Sequence, residues 1–105
     1  MADFMKMLQQ AQQMQGRLQQ MQEELEQLTV SASSGGGMVT ATADGKGVIR
    51  SIRIDPSVVN PTDIEMLEDL VLAAVTEVQK KAADVAQEEM KKLTGGMALP
   101  FKLPF

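Results

Sequence analysis

The sequence predicts a dimeric α+β fold: a long N-terminal helix, a three-stranded antiparallel β-meander, a long C-terminal helix and an extended tail. Three observations predict it. Apolar residues recur every three or four positions in two long stretches, which is helical spacing. Three short strand-like runs lie between those stretches and are separated by glycines. Two prolines within residues 97–105 exclude a helix there. We therefore expect one domain over residues 1–96 and a tail over residues 97–105.

The first helix is predicted over residues 4–28. Its apolar positions alternate steps of three and four, at Phe4, Met7, Ala11, Met14, Leu18, Met21, Leu25 and Leu28. This is the heptad spacing of a coiled-coil seam. Such a helix would be roughly 38 Å long, which is more than a three-stranded sheet can cover. Part of the stripe therefore needs another helix. The dimer-interface candidates are Met14, Leu18, Met21 and Leu25.

The first two strands are predicted over residues 28–33 and 38–43. Residues 28–33 alternate apolar and hydroxyl side chains, as a half-buried strand does. Gly35-Gly36-Gly37 supplies the turn between the two strands. Asp44-Gly45, which follows the second strand, is a two-residue hairpin signal.

The third strand, residues 48–55, breaks the alternation of apolar and polar side chains. Ile49, Ile52 and Ile54 are apolar, and Arg50 and Arg53 lie between them. A β-bulge near Ser51 would restore the register. It would also turn both arginines to the same solvent face.

The second helix is predicted to begin at the sequence Thr62-Asp63-Ile64-Glu65, which fits a capping box and follows Pro61. An apolar stripe then runs from Ile64 to Leu93 and is broader in its first half, as where a helix packs on a sheet. Gly95-Gly96 is predicted to end the helix with a left-handed cap.

The composition argues against most kinds of catalytic or metal site. The chain has no Cys and no His, which excludes disulfides and thiolate ligands and removes the commonest general base. Adjacent carboxylates such as Glu68-Asp69 point in different directions on a helix, so they indicate solvated faces. Gly35-Gly36-Gly37 lacks the Lys and Ser/Thr of a phosphate-binding loop. We therefore expect no enzyme, cofactor, metal or small-molecule substrate.

Methionine is abundant, at nine residues against three Phe and no Tyr or Trp. A flexible, Met-rich apolar face suits a helix–helix seam or an adaptable contact surface. The equal alternative is that Met simply replaces Leu in an ordinary core. The N-terminus has no basic region followed by an apolar run, and no uninterrupted apolar stretch reaches the roughly 18 residues of a membrane span. A cytoplasmic protein without membrane contact is expected.

Positive charge is distributed unevenly along the chain. The net charge is −4 and the isoelectric point about 4.7, which taken alone argues against a nucleic-acid partner. Between residues 4 and 22, however, Lys6 and Arg17 are the only charged residues, in a Gln-rich run. The second helix is acidic early and basic late, a gradient that the helix dipole partly explains. The candidate DNA contacts are Lys6, Arg17, Lys80, Lys81, Lys91, Lys92 and Lys102.

Several segments resemble the YbaB/EbfC family of bacterial nucleoid-associated proteins, and the likeness covers essentially the whole chain. They include Met7-Leu8-Gln9-Gln10-Ala11-Gln12-Gln13-Met14-Gln15, Gly35-Gly36-Gly37-Met38-Val39, Asp44-Gly45-Lys46-Gly47, Ile54-Asp55-Pro56-Ser57, Glu65-Met66-Leu67-Glu68-Asp69-Leu70-Val71, Leu93-Thr94-Gly95-Gly96-Met97 and Leu103-Pro104-Phe105. The resemblance implies a dimeric fold that binds double-stranded DNA and alters its conformation. It also implies roles in nucleoid organisation and gene regulation, without catalysis. It transfers no DNA-contacting residues.

A second hypothesis stays open on the sequence. The Met-rich stripe, together with Phe101 and Phe105 in the tail, could instead serve a protein-interaction or chaperone-like adaptor.

Overall fold

The computed structural model describes residues 2–94. It contains two long helices, α1 (Ala2–Gln27) and α2 (Ile64–Thr94). Between them lie three strands, β1 (Val30–Ser34), β2 (Val39–Ala43) and β3 (Ile49–Ile54). The predicted α-β-β-β-α order is confirmed, and the predicted tail lies outside the described residues.

The three strands form one antiparallel sheet in the order β1-β2-β3. A short 3-10 turn at Gly35–Gly37 joins β1 to β2, and the turn uses positive φ angles at all three glycines. Between β2 and β3, Ala43 pairs with Ile49 and Thr42 with Ser51, which leaves Arg50 as the extra residue. The β-bulge predicted near Ser51 is therefore present one residue earlier.

Helix α2 covers the sheet unevenly. Ala74 and Val78 are fully buried against Val39 and Ala41 of β2 and against Ala32 of β1. The small side chains allow the helix backbone to approach the sheet closely. Strand β3 lies at the edge, and the side chains that it turns toward the helix layer remain partly exposed. The core of this domain is therefore complete over β1 and β2 only.

A second, separate core joins the two helices. Met21 and Leu25 of α1 are buried against Ala86 and Met90 of α2. Farther along, Arg17 of α1 lies near Lys92 and Leu93, so the helices run antiparallel. The prediction that part of the α1 stripe needs another helix is confirmed, and within residues 2–94 that helix is α2 of the same chain.

Two local predictions were wrong in detail. Asp44-Gly45 does not form a two-residue turn, because the loop spans residues 44–48 and Asp44 N donates to Val48 O at 3.0 Å. The positive φ falls on Gly47 (+87°) rather than on Gly45. The cap of α2 is Asp63, whose Oδ1 accepts from Met66 N at 3.2 Å, whereas Thr62 donates to Asn60 Oδ1.

The molecule is elongated. Its principal dimensions are 72 × 24 × 16 Å and its radius of gyration is 19.4 Å. A compact domain of this length would have a radius of gyration of about 13 Å. The difference arises because α1, before Arg17, and the end of α2 extend beyond the sheet. No helix in the described part of the chain is long and apolar enough to cross a membrane.

Candidate nucleic-acid interface

A row of polar side chains runs along the exposed side of α1. Lys6, Gln10, Gln13 and Arg17 follow one another at steps of four, three and four residues, so they lie on one side of the helix. All four are exposed. We call these four residues the polar row. It is about 16 Å long and contains two positive charges, two amides and no carboxylate.

The polar row has the chemistry that DNA contacts require. Lysine and arginine pair with phosphate oxygens, and glutamine can hydrogen-bond phosphates or base edges. Acidic residues flank the row at both ends: Asp3 lies three residues before Lys6, and beyond Arg17 Gln20 Nε2 donates to Glu24 Oε1 at 3.4 Å. The stretch of α1 without carboxylates, residues 4–22, thus includes most of the part that extends beyond the sheet.

The structure brings two of the predicted cations, Arg17 and Lys92, to one groove between the helices. Glu24 and Glu89 line the same groove. Lys92 Nζ lies 3.4 Å from Glu89 Oε1, with its own side chain 72% exposed. The carboxylates offset the positive potential here, so Lys92 contributes less to a phosphate site than its position alone suggests.

The remaining cations of α2 do not converge on the polar row. Lys80 and Lys91 are eleven residues apart, and so are Lys81 and Lys92, so each pair shares one side of the helix three turns apart. Lys81 Nζ donates to Ser31 O at 3.2 Å, and Lys91 Nζ lies 3.7 Å from Glu88 Oε1. These lysines remain candidates on a second surface. Lys102 lies outside the described residues.

The hairpin loop, residues 44–48, fixes the end of α1. Gly45 N donates to Leu25 O at 2.8 Å, and Lys46 Nζ lies 3.1 Å from Glu26 Oε1. There is no room for a side chain at Gly45, since an added Cβ would lie 2.8 Å from Leu25 O. The loop thereby sets the direction in which α1 leaves the sheet.

Asp44 holds that loop in shape. Its Oδ1 accepts from Lys46 N and Val48 N, and its Oδ2 accepts from Arg50 Nη2 at 2.7 Å. The side chain is only 2% exposed. Burial alone would raise the pKa of Asp44, but the hydrogen bonds from Val48 N, Arg50 and Lys46 N lower that pKa below its ordinary value. The sequence offered no sign of this buried carboxylate beyond its place in the turn.

An apolar groove follows the uncovered edge of the sheet. We call it the edge groove, and it has a volume of about 450 Å³. Its lining is apolar except for one carboxylate and consists of Ile54, Leu67, Glu68, Val71, Leu72 and Val75. Ile52, also on β3, is 42% exposed and Leu72 is 65% exposed. Sequence reasoning missed this surface, although the last strand of a meander is an edge strand and three isoleucines on it were a usable signal.

The predicted dimer-interface residues have partners within their own chain. Met21 and Leu25 are buried against α2, and Leu18 packs beside them. Met14 is half-buried. Their part in dimerisation stays a prediction, whereas the edge groove is an apolar surface that no element within residues 2–94 covers.

Comparison with known proteins identifies the relatives of this chain. The model of the YbaB/EbfC DNA-binding family matches residues 1–97. A nucleoid-associated protein of Gemmatimonas aurantiaca is 62% identical over 103 residues, covering 98% of this chain and 99% of that protein. A nucleoid-associated protein of Rhodospirillum rubrum is 47% identical, with both chains covered completely.

The fold is also that of a solved structure. The crystal structure of an uncharacterized protein from Helicobacter pylori superposes with a TM-score of 0.72 and is 24% identical, covering 90% of this chain and 95% of that one. This likeness supports the α+β architecture alone. The family and the relatives' names favour the DNA-binding hypothesis over the adaptor hypothesis.

Proposed function

The chain belongs to the YbaB/EbfC DNA-binding family, and we propose that it binds double-stranded DNA as a homodimer and alters the conformation of that DNA. Its place is the nucleoid in the cytoplasm, where such binding serves nucleoid organisation and gene regulation. The observation that carries the proposal is the polar row. It puts Lys6 and Arg17, with two glutamines, on the stretch of α1 between residues 4 and 22, which contains no carboxylate and extends in part beyond the sheet.

The overall negative charge does not oppose this proposal. Debye screening limits charge effects to about 8 Å at physiological salt, so a phosphate near Lys6 experiences the local charges rather than the net charge of −4. On the same side of α1, the acidic residues nearest the polar row are Asp3 and Glu24, one beyond each end, and Glu89 of α2 lines a groove with Arg17.

The homodimer part of the proposal rests on the edge groove. Ile54, Val71 and Leu72 form an apolar surface beside an edge strand whose outward backbone groups have no strand partner within residues 2–94. A second copy brings the same surface in a two-fold arrangement, which is the commonest form of homo-oligomer. Burying this apolar surface between two copies would stabilise the dimer by about 25 cal/mol for each Å² of apolar area removed from water.

Dimerisation would also explain a change in DNA conformation. Two polar rows related by a two-fold axis contact phosphates at two separate places. A duplex path that satisfies both is then favoured over a straight one, at a deformation cost that the contacts offset. Gel mobility of circularly permuted DNA fragments tests this, because a bend makes mobility depend on the position of the bound site.

Gel-shift titration across a salt series tests DNA binding by the polar row. Each phosphate contact contributes about 0.9 to the slope of log affinity against log salt. Lys6→Gln removes one such contact per protomer, so we expect the slope of the dimer to fall by about 1.8. The matched control is Lys46→Gln, which removes a lysine paired with Glu26 at the other end of α1. The proposal fails if Lys6→Gln keeps the salt slope of the control.

A further inference from the structure

The first half of α1 has an apolar face that is exposed in the single chain. Phe4 is 63% exposed and Met7 66%, Ala11 is also exposed, and Met14 is half-buried. These residues continue the stripe whose inner position Met21 packs against α2. We call Phe4, Met7, Ala11 and Met14 the open face. It is the helix-binding face of α1 beyond the point where α2 ends.

The open face has the spacing of a helix–helix seam. Its residues follow one another at steps of three, four and three, which is the a/d spacing of a heptad. This series of steps is the same in both directions, so a second α1 that runs antiparallel matches it over its whole length of about 15 Å. Phe4 then meets Met14 of the second copy, and Met7 meets Ala11 of the second copy.

Helix α2 ends where the second α1 would begin. Lys92 and Leu93 lie beside Arg17, and α2 ends at Thr94. In the register just given, the second helix begins at the level of Gly16 and continues outward in the direction of α2. The N-terminus of the second α1 then follows the C-terminus of α2, an arrangement that the helix dipoles favour.

The charges beside the open face favour the antiparallel orientation. Asp3 and Arg17 are fourteen residues, or about four turns, apart, so they lie on the same flank of α1. In the antiparallel register, Asp3 of the second copy lies within about 3 Å of the level of Arg17 along the axis, and the reverse pair forms as well. A parallel register would separate these charges by about 21 Å. Neither residue forms a salt bridge within the described part of the chain.

We propose that the open faces of two copies pair antiparallel, with Asp3 of each copy beside Arg17 of the other. The contact has four apolar side chains per copy, against the roughly 20 to 30 residues per side of a standard stable interface. It is therefore a weak association that forms at high protein concentration. The pairing itself does not depend on the proposed function, but the step that links dimers into larger assemblies rests on the edge-groove dimer proposed above.

Sedimentation of the full chain without DNA, over a concentration series up to about 1 mM, measures the pairing. We expect the mass of the assembly to rise beyond that of the dimer. Met7→Glu places a carboxylate against Ala11 of the second copy, twice in each pair, and should raise the Kd of this step by about 100-fold or more. The matched control is Met5→Glu. Met5 is nearly as exposed, at 64%, but lies outside the open face, so this variant should assemble like the unmodified protein.

Leu72→Asp separates this pairing from the edge-groove dimer. In that variant we expect single chains at low concentration that pair through the open face at high concentration. If Leu72→Asp assembles like the unmodified protein while Met7→Glu still weakens association, the edge-groove dimer is wrong and the open-face pairing stands. If Met7→Glu and Met5→Glu assemble equally, the open-face pairing is wrong. A mass that does not rise with concentration would mean that the face stays open or is covered from within the chain, and would overturn the proposal too.

A charge exchange tests the antiparallel orientation. Asp3→Arg and Arg17→Asp each bring like charges together at both ends of the pair, so each should weaken the association several-fold at low salt. The double variant restores opposite charges and should recover most of the affinity. Circular dichroism of each variant checks that its helix content is unchanged. A double variant that is no better than the single variants would rule out the proposed register.

Discussion

At the scale of single residues, the hairpin loop depends on one buried carboxylate. Asp44 is 2% exposed and accepts three hydrogen bonds, one of them from the guanidinium of Arg50. A buried carboxylate is tolerated only when such donors replace its water. The same loop positions Gly45 against Leu25 O, so Asp44 also helps to hold the end of α1.

Replacing this carboxylate should change how stability depends on pH. The pKa of Asp44 is lower in the folded protein than its ordinary value of 3.8, so its charged form stabilises the fold above pH 3.8. That contribution is lost as the pH falls through the folded-state pKa. In Asp44→Asn one carboxylate oxygen becomes an amide NH₂. If the NH₂ faces Arg50, two donors oppose each other; if it faces the loop, the hydrogen bonds from Lys46 N and Val48 N are lost. We expect lower stability at pH 7 and a smaller further loss on acidification, measured by urea unfolding at several pH values. Asp63→Asn, at an exposed cap, is the control.

Two glycine substitutions should have opposite effects on stability. Gly45→Ala places a methyl group 2.8 Å from Leu25 O, a backbone atom, and we expect it to cost about 1 to 3 kcal/mol. Gly16→Ala meets nothing within 4 Å in the interior of α1 and should stabilise by about 1 kcal/mol or less. Thermal unfolding of both variants measures the difference. A neutral Gly45→Ala would mean that the loop does not hold α1 closely.

At the scale of elements, the helix and strand order was predictable because each element has a clear period. The heptad stripe of α1 predicted a helical partner, but spacing cannot specify which chain supplies that partner. Met21 and Leu25, predicted at a dimer interface, are buried against α2 of the same chain, and their part in dimerisation stays a prediction. The extra residue in β3 was predictable from its broken alternation. The cap at Asp63 was placed one residue early because Thr62 and Asp63 are both good capping residues.

The α1–α2 contact should unfold separately from the sheet. Leu25→Ala removes a side chain that is 3% exposed, which costs about 2 to 5 kcal/mol when the cavity persists. The two cores share few side chains. We therefore expect hydrogen exchange of the α1 amides to accelerate much more than exchange in β2. Exchange that accelerates equally in both elements would show that the protein unfolds as one unit.

At the scale of the whole molecule, the incomplete sheet core is what the sequence revealed least. Whether α2 covers two strands or three depends on where the helix crosses the sheet, and local periodicity does not contain that information. The edge groove along Ile54 and Leu72 results from this crossing. The polar row was partly predictable, since Lys6 and Arg17 were singled out by the absence of acid around them.

A charge in the edge groove should prevent the proposed pairing. Leu72→Asp places a carboxylate on a side chain that is 65% exposed in one chain, so the single subunit should still fold. Buried in a dimer without a partner charge, that carboxylate costs several kcal/mol. Sedimentation should show a monomer, and DNA affinity should fall because each molecule then has one polar row. Met66→Asp, at an exposed apolar residue outside the groove, is the control and should remain dimeric.

The attachment of α1 at its C-terminal end has a mechanical consequence. From Leu25, held by the hairpin loop, to Phe4 the helix is about 32 Å long. The contact between Gly45 N and Leu25 O lies at the inner end of this length, beside the packing of α1 on α2. A rotation of about 10° at that end moves the far end by about 5 Å, because displacement grows with the length of the helix. In the proposed dimer, the distance between the two N-terminal ends of α1 therefore depends on the angle that the hairpin loop sets at each attachment.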